Sequence, residues 1–327
     1  MVSGNGDPQS KIGSEGVEGQ PPGYEGSNGQ TTHFREGLCL ITNKKARSTL
    51  DLARGNSAPG TRILGYEQRV DFDNANQLWV VRQDGLNGTY TLRNFLTGTY
   101  MNLLRGNPAD GSQVVGWPRE QNDDDRANQE WRINEKEHHH TIQCSRTNTF
   151  MEIPGGDPSN DVDARCSGAS EEGDHQLWNL EPASRTSAEI KALFWSWKPG
   201  FLPHVFQPYG ESAQYFVLRN ETRRTLWQGA NLLHQPIRSH LFDYDDFVIR
   251  MKEAATRWAM NRFQADVPGF SVLFGIIYGE APKGPRAYNW YLSPDMCSLV
   301  FFDAQIGKEY CTAALNELGF EPTLAIF

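Results

Sequence analysis

Between residues 33 and 182 the large apolar residues come in runs of four to seven, rich in Leu, Val, Tyr and Thr, and the runs break at Gly, Asn, Asp and Pro. Runs of that length between turn formers read as short strands, as at Gly88-Thr89-Tyr90-Thr91-Leu92 and Ser112-Gln113-Val114-Val115-Gly116-Trp117. No helical period of any length appears there. After Trp178 the texture changes. Glu181-Pro182-Ala183-Ser184 reads as a linker, residues 187–195 as a short helix, and residues 200–240 as irregular and aromatic-rich. Asp243-Tyr244-Asp245-Asp246 then opens the strongest helical pattern, with Phe247, Met251, Ala254, Ala255 and Trp258 spaced as a core-facing stripe. The three aspartates suit the positive end of its dipole. Strands are expected over 270–278, 286–292, 298–302 and the last residues to 327, which makes this part α+β.

Within the first region the chain repeats itself. Asn76-Gln77-Leu78-Trp79, Asn128-Gln129-Glu130-Trp131 and His175-Gln176-Leu177-Trp178 share Gln-x-Trp, with tryptophans 52 and 47 residues apart. A second landmark recurs upstream: Thr49-Leu50-Asp51-Leu52 leads to Tyr66, Tyr100-Met101-Asn102-Leu103 to Trp117, and Phe150-Met151-Glu152-Ile153 to Cys166, at spacings of 15, 15 and 14 residues. A repeat fixes the architecture before any single element does. Three four-strand units of about fifty residues describe a closed all-β trefoil that leaves no exposed sheet edge.

Composition narrows the function. A formal charge of −9 on 327 residues argues against a nucleic-acid partner, since phosphate binding needs a basic surface. Five cysteines at 39, 144, 166, 297 and 311 form no disulfide framework. The N-terminus has no apolar signal segment and no stretch is apolar enough to span or insert into a membrane, so a cytoplasmic location is expected. Residues 1–32, rich in Gly, Ser, Pro and Gln, are expected to be flexible. His138-His139-His140 reads as a solvated turn, because no further His or Cys stands at metal-ligand spacing.

The repeats carry candidate chemistry. A pyranose offers hydroxyls to hydrogen-bond and an apolar face to stack, so its site needs a carboxylate or amide beside an aromatic ring. Asp51, Tyr66 and Asn76 supply that set in the first repeat, and Asn102, Trp117 and Asn128 an amide version in the second. The third has Glu152, Cys166 and His175, without a ring. Gln77, Gln129 and Gln176 read as groups that satisfy buried backbone, with the tryptophans as core, although Gln77 also stands beside the first site. Residues 33–182 resemble the ricin-type β-trefoil lectins. The resemblance implies that Asp51 binds vicinal hydroxyls on an aromatic platform with help from Asn76. Binding is expected in the first repeat, a weaker or altered site in the second and none in the third; a purely structural Asp51 that closes a turn is the alternative.

Residues 183–327 resemble the C-terminal domain of mushroom chimerolectins of the Marasmius oreades agglutinin type, through Phe242-Asp243-Tyr244-Asp245-Asp246-Phe247-Val248-Ile249-Arg250-Met251-Lys252, Arg286-Ala287-Tyr288-Asn289, Leu299-Val300-Phe301-Phe302-Asp303-Ala304-Gln305 and the closing Ala325-Ile326-Phe327. The resemblance implies a papain-like cysteine-protease fold that dimerises the protein and binds calcium. Its nucleophile, base and orienting positions are here Tyr244, Arg286 and Asp303. A guanidinium cannot accept a proton, so protease chemistry is expected to be lost, with a salt bridge from Arg286 to Asp303 or Asp245 in its place. Asp243, Asp245, Asp246 and Asp303 are oxygen ligands suited to calcium, and aspartates at a helix start also serve as caps. The combined expectation is a dimeric lectin for galactose- or N-acetylgalactosamine-ended glycans of glycoproteins and glycolipids, with a defensive role implied by the resemblance. The alternative is a hydrolase rebuilt on Tyr244, Arg286 and Asp303 and targeted by the trefoil.

Overall fold

The computed structural model describes residues 35–69, 75–83, 88–171, 173–205, 210–233, 235–238, 241–264 and 267–327. The segment 1–32, expected to be flexible, lies outside them. Thirteen strands, from Gly37–Asn43 to Trp178–Pro182, form one antiparallel sheet that closes on itself: Gly37–Asn43 pairs with both Leu78–Gln83 and Trp178–Pro182. The repeat is visible in the backbone. Each unit passes through a 3-10 turn, Ala53–Gly55, Leu104–Gly106 or Pro154–Gly156, whose middle residue has φ of 55°, 58° and 63°. Gly106 closes the second of these turns at φ +55°, where a Cβ would sit 2.3 Å from Asn128 Oδ1.

Trp79, Trp131 and Trp178 are fully buried in one central cluster. Their indole nitrogens donate to the carbonyls of Leu50, Met101 and Met151 at 3.0, 3.1 and 3.0 Å. Each ring therefore fills the core and satisfies its N–H on an earlier strand of its own repeat. Three such units around one centre make a β-trefoil.

Two of its strands are buried on both faces. Cys39, Ile41, Trp79 and Val81 point to the trefoil centre, while Leu38, Leu40, Leu78 and Val80 point to a second core. Side chains alternate between faces with period two, so the unbroken runs Leu38-Cys39-Leu40-Ile41 and Leu78-Trp79-Val80-Val81 mark strands covered on both sides. The equivalent strand Trp178–Pro182 places exposed Asn179 and Glu181 outward.

The cover is the C-terminal half. Helices α1 (Ser187–Trp197), α2 (Asn220–Ala230), α3 (Tyr244–Arg262) and α4 (Thr312–Glu317) accompany two sheets. One joins Ser184–Thr186, Gln214–Val217 and Phe270–Leu273. The other runs Lys308–Cys311, Leu299–Asp303, Gly284–Leu292, Gly275–Ala281, Glu321–Ile326, all antiparallel. Helix α1 starts in a capping box, with Glu189 N donating to Thr186 Oγ1 at 3.1 Å and Thr186 N to Glu189 Oε2 at 2.8 Å. Helix α3 packs on α2 and the five-stranded sheet, burying Phe247, Val248, Met251 and Ala255. Asn289, fully buried, donates to Val248 O at 2.9 Å and so pins α3 to the sheet. At the junction of the two halves the Phe95 ring lies 5.7, 4.5 and 5.9 Å from those of Phe216, Phe263 and Phe270.

Four sequence expectations need correction. Residues 200–240 contain the strand Gln214–Val217 and helix α2, whose pattern is concealed because an arginine, Arg223, takes a buried position and stacks over Tyr291 at 4.0 Å. The strand expected over 270–278 is two, in different sheets; the second starts at Gly275, where a Cβ would sit 2.1 Å from the Trp290 ring. Strand Lys308–Cys311 and helix α4 lie between the strands expected over 298–302 and at the last residues, where the sequence pattern marks no element. The histidine run is a turn only at Glu137 and His138, both at positive φ; His140 is buried in the strand His139–Cys144.

Phe95 ties the two halves together. Phe95→Ala is expected to lower the unfolding free energy by about 3–5 kcal/mol, read by urea titration, and to weaken both halves rather than the trefoil alone.

Candidate functional site

The Gln-x-Trp glutamines hold the loop before each tryptophan. Gln77 donates to Glu67 O at 2.9 Å and accepts Arg69 N at 2.9 Å. Gln129 does the same with Pro118 O (2.7 Å) and Glu120 N (3.1 Å), and Gln176 with Gly168 O (2.8 Å) and Ser170 N (3.0 Å). The same frame thus brings a different polar group to the same place in each repeat.

In the first repeat that group is Asp51. It lies within the strand Thr49–Leu52, not in a turn, and is 3 % exposed. Its Oδ1 accepts Asn76 Nδ2 at 2.7 Å and its Oδ2 accepts Gln77 Nε2 at 3.1 Å. Each oxygen keeps lone-pair capacity. Burial raises the Asp51 pKa to about 6, against the pull of the Gln77 bond, the Arg69 charge and the Asn76 bond. Hairpin register pairs Asp51 with Leu64 and Thr49 with Tyr66, so the Tyr66 ring stands on the same face one step along. Arg69, which the sequence did not single out, lies over that ring at 5.3 Å.

In the second repeat Asn102 and Asn128 are 4 % and 5 % exposed, and the Oδ1 of each is buried without a hydrogen-bond partner. Trp117 takes the Tyr66 position, opposite Tyr100. In the third repeat the register differs from the sequence expectation. Ser167, not Cys166, stands opposite Phe150 in the ring position, while Cys166 is core. Ser167 Oγ donates to Glu152 Oε1 at 2.9 Å and Gln176 Nε2 to Glu152 Oε2 at 2.9 Å, and His175 Nε2 lies 3.4 Å from Oε2. Three protein groups thus crowd this carboxylate, and no ring stands in the Tyr66 position. Keeping the fifteen-residue spacing of the other repeats would have led from Glu152 to Ser167.

A second constellation sits at the start of α3. The Arg286 guanidinium lies 4.3 Å from the centroid of the Tyr244 ring and donates to Pro285 O at 3.0 Å. Among the described residues no ion pair joins Arg286 to Asp303 or Asp245, so the expected salt bridge is replaced by a cation–π contact. Asp303 Oδ1 accepts the amides of Gln305 (3.0 Å) and Ile306 (3.4 Å), and burial raises its pKa. The carboxylates of Asp243, Asp245 and Asp246 converge within 4.8 Å of one another. Asp303, expected among them, is not part of this group, because its oxygen caps its own turn. The bond with Asp243, then burial, raises the Asp245 pKa.

Residues 215–309 match the family model described as Agglutinin C-terminal. A Polyporus squamosus lectin, solved with the human-type influenza-binding epitope Neu5Acα2-6Galβ1-4GlcNAc, has 25 % sequence identity and a TM-score of 0.77, covering 90 % of this chain and 100 % of that one. The chain is similar to a fungal lectin. A structure described as a PSL1a-E64 complex gives 25 % identity and a TM-score of 0.75 over the same shares. No curated protein matches the sequence. No described helix is long and apolar enough to cross a membrane.

Because the folded pKa of Asp51 is raised, its contribution to stability is full below the unfolded value near 4 and is lost as pH rises through about 6. Urea titrations of the native protein and Asp51→Asn at pH 4 and pH 7.5 should therefore differ in their pH dependence by on the order of 3 kcal/mol, with the native protein losing more on going to pH 7.5.

Proposed function

We propose that the protein is a lectin for galactose- or N-acetylgalactosamine-ended glycans, which it binds through its first two repeats. The observation that carries this is Asp51: a buried carboxylate with one bond to each oxygen, held by Asn76 and Gln77 on the face that carries Tyr66. Vicinal sugar hydroxyls donate to the remaining lone pairs, and charge-assisted bonds of this kind are about twice as strong as neutral ones. The apolar sugar face stacks on Tyr66. In the second repeat the partnerless oxygens of Asn102 and Asn128 offer two neutral acceptors beside Trp117, a weaker version of the same site. The glycan solved with the Polyporus squamosus lectin contains galactose, which supports the sugar class.

The C-terminal half keeps a papain-like fold without its chemistry and pairs two copies of the chain. Tyr244 lacks a base, since Arg286 has no proton-accepting atom. Support for pairing comes from the large exposed apolar residues among the described set, which include Leu233, Ile237, Leu241 and Ile249 and all fall after residue 200. Two copies would multiply avidity for dense glycans. Asp243, Asp245 and Asp246 fit a calcium ion: their three carboxylates converge at a helix start within 4.8 Å of one another. The ion would neutralise them and anchor the start of α3.

On a glycan array the native protein is expected to bind galactose-ended structures, and Asp51→Ala to lose roughly tenfold or more of that signal. A blank array, or hydrolysis of peptide substrates abolished by Tyr244→Phe, would overturn the reading, the latter in favour of a rebuilt hydrolase.

A further inference from the structure

Resting on the lectin function proposed above, we infer that the C-terminal half is a working part of the first glycan site, in which Arg219 and Gln264 are positioning residues. Neither residue touches Asp51. Arg219 Nη1 donates to Arg69 O at 3.1 Å. The amide of Arg69 donates to Gln77 Oε1 at 2.9 Å, and Gln77 Nε2 donates to Asp51 Oδ2 at 3.1 Å. The same Arg69 lies over the Tyr66 ring. One arginine of the C-terminal half thus fixes, through the single residue Arg69, both the glutamine that orients the carboxylate and the cation that covers the platform.

Gln264 acts on the other flank. Its amide donates to Leu96 O at 2.8 Å and its Nε2 to Gly55 O at 3.3 Å. Gly55, at φ +60°, lies against Leu96 and Asn76: a Cβ there would sit 2.5 Å from Leu96 Cδ2 and 3.6 Å from Asn76 Cβ. The neighbouring Asn94 Nδ2 donates to Asn76 O at 2.9 Å. Gln264 therefore clamps the two turns between which Asn76 stands. Asn76 and Gln77 are adjacent in sequence and bond the two oxygens of Asp51, so the tethers from the C-terminal half meet at one carboxylate. Orientation to within a fraction of an ångström decides the strength of such bonds.

The consequence is selective. Loosening either tether should weaken the first site and leave the second, built on Asn102, Trp117 and Asn128, as it was. It should also alter the protonation behaviour of Asp51, because the Gln77 bond is what opposes the rise of its pKa most. A residue that only glued the two halves together would lower the melting temperature without either effect.

The test is calorimetric titration of the full chain with N-acetyllactosamine in an Asn128→Ala background, which isolates the first site, across pH 4.5 to 8. Arg219→Ala and Gln264→Ala should each weaken binding roughly fivefold at pH 7.5, the worth of one well-placed hydrogen bond. In Arg219→Ala the pH midpoint of binding should move upward, and Arg219→Lys, which can still donate to Arg69 O, should restore most of the affinity. Gln264 is exposed, so its variant keeps the test alive if Arg219→Ala unfolds. Unchanged affinity and midpoint in both alanine variants, with binding abolished by Asp51→Ala, would overturn this inference alone. Undiminished binding by Asp51→Ala would overturn the first site itself, and this inference with it.

Discussion

Everything in the trefoil depends on the glutamine and tryptophan of each Gln-x-Trp. The tryptophan donates to the carbonyl of Leu50, Met101 or Met151 on the strand that carries residue 51, 102 or 152, so that strand cannot slide relative to the core. The glutamine meets two backbone groups of the loop before it, and losing it would leave both unmet at about 1–3 kcal/mol each. Fixing the frame this way leaves the polar position between them free to diverge. The chain has used that freedom: a carboxylate beside an aromatic ring in the first repeat, an amide pair with orphaned oxygens in the second, and in the third a carboxylate met by Ser167, Gln176 and His175 with a serine in the ring position.

Asymmetry among the repeats also decides where the C-terminal half sits. Only a strand with two apolar faces can belong to two cores, and Gly37–Asn43 and Leu78–Gln83 are such strands. The C-terminal half covers their outer faces with Phe216, Phe247 and Phe274, and Arg82 reaches across to Pro268 O at 2.5 Å. The repeat that provides this greasy surface also carries Asp51, which is why residues far along the chain come to border the first site.

Much of this was legible in the residues. The period near fifty gave the trefoil, and the helix start at Asp243 and the stripe through Phe247, Met251 and Ala255 gave α3. The runs Leu38-Cys39-Leu40-Ile41 and Leu78-Trp79-Val80-Val81 already announced a covered outer face, a signal the strand pattern alone did not make use of. Helix α2 was hidden because Arg223 fills a buried position by stacking on Tyr291, which no apolar period can register. The replacement of a salt bridge by the Arg286–Tyr244 contact was illegible for a related reason: residue types name the charges but not the angles at which they meet. Ser167 was missed by one residue because a landmark spacing of 14 was accepted where hairpin register requires 15.

The central claim is that one frame carries two unequal glycan sites, one ionisable and one not. Calorimetric titration of the native chain with N-acetyllactosamine at pH 7.5 and pH 4.5 tests it most directly. Since burial raises the Asp51 pKa to about 6 and amides do not titrate in this range, the account predicts two sites per chain at pH 7.5 and only the weaker one at pH 4.5. A stoichiometry of one at both values, or of three at pH 7.5, would contradict it.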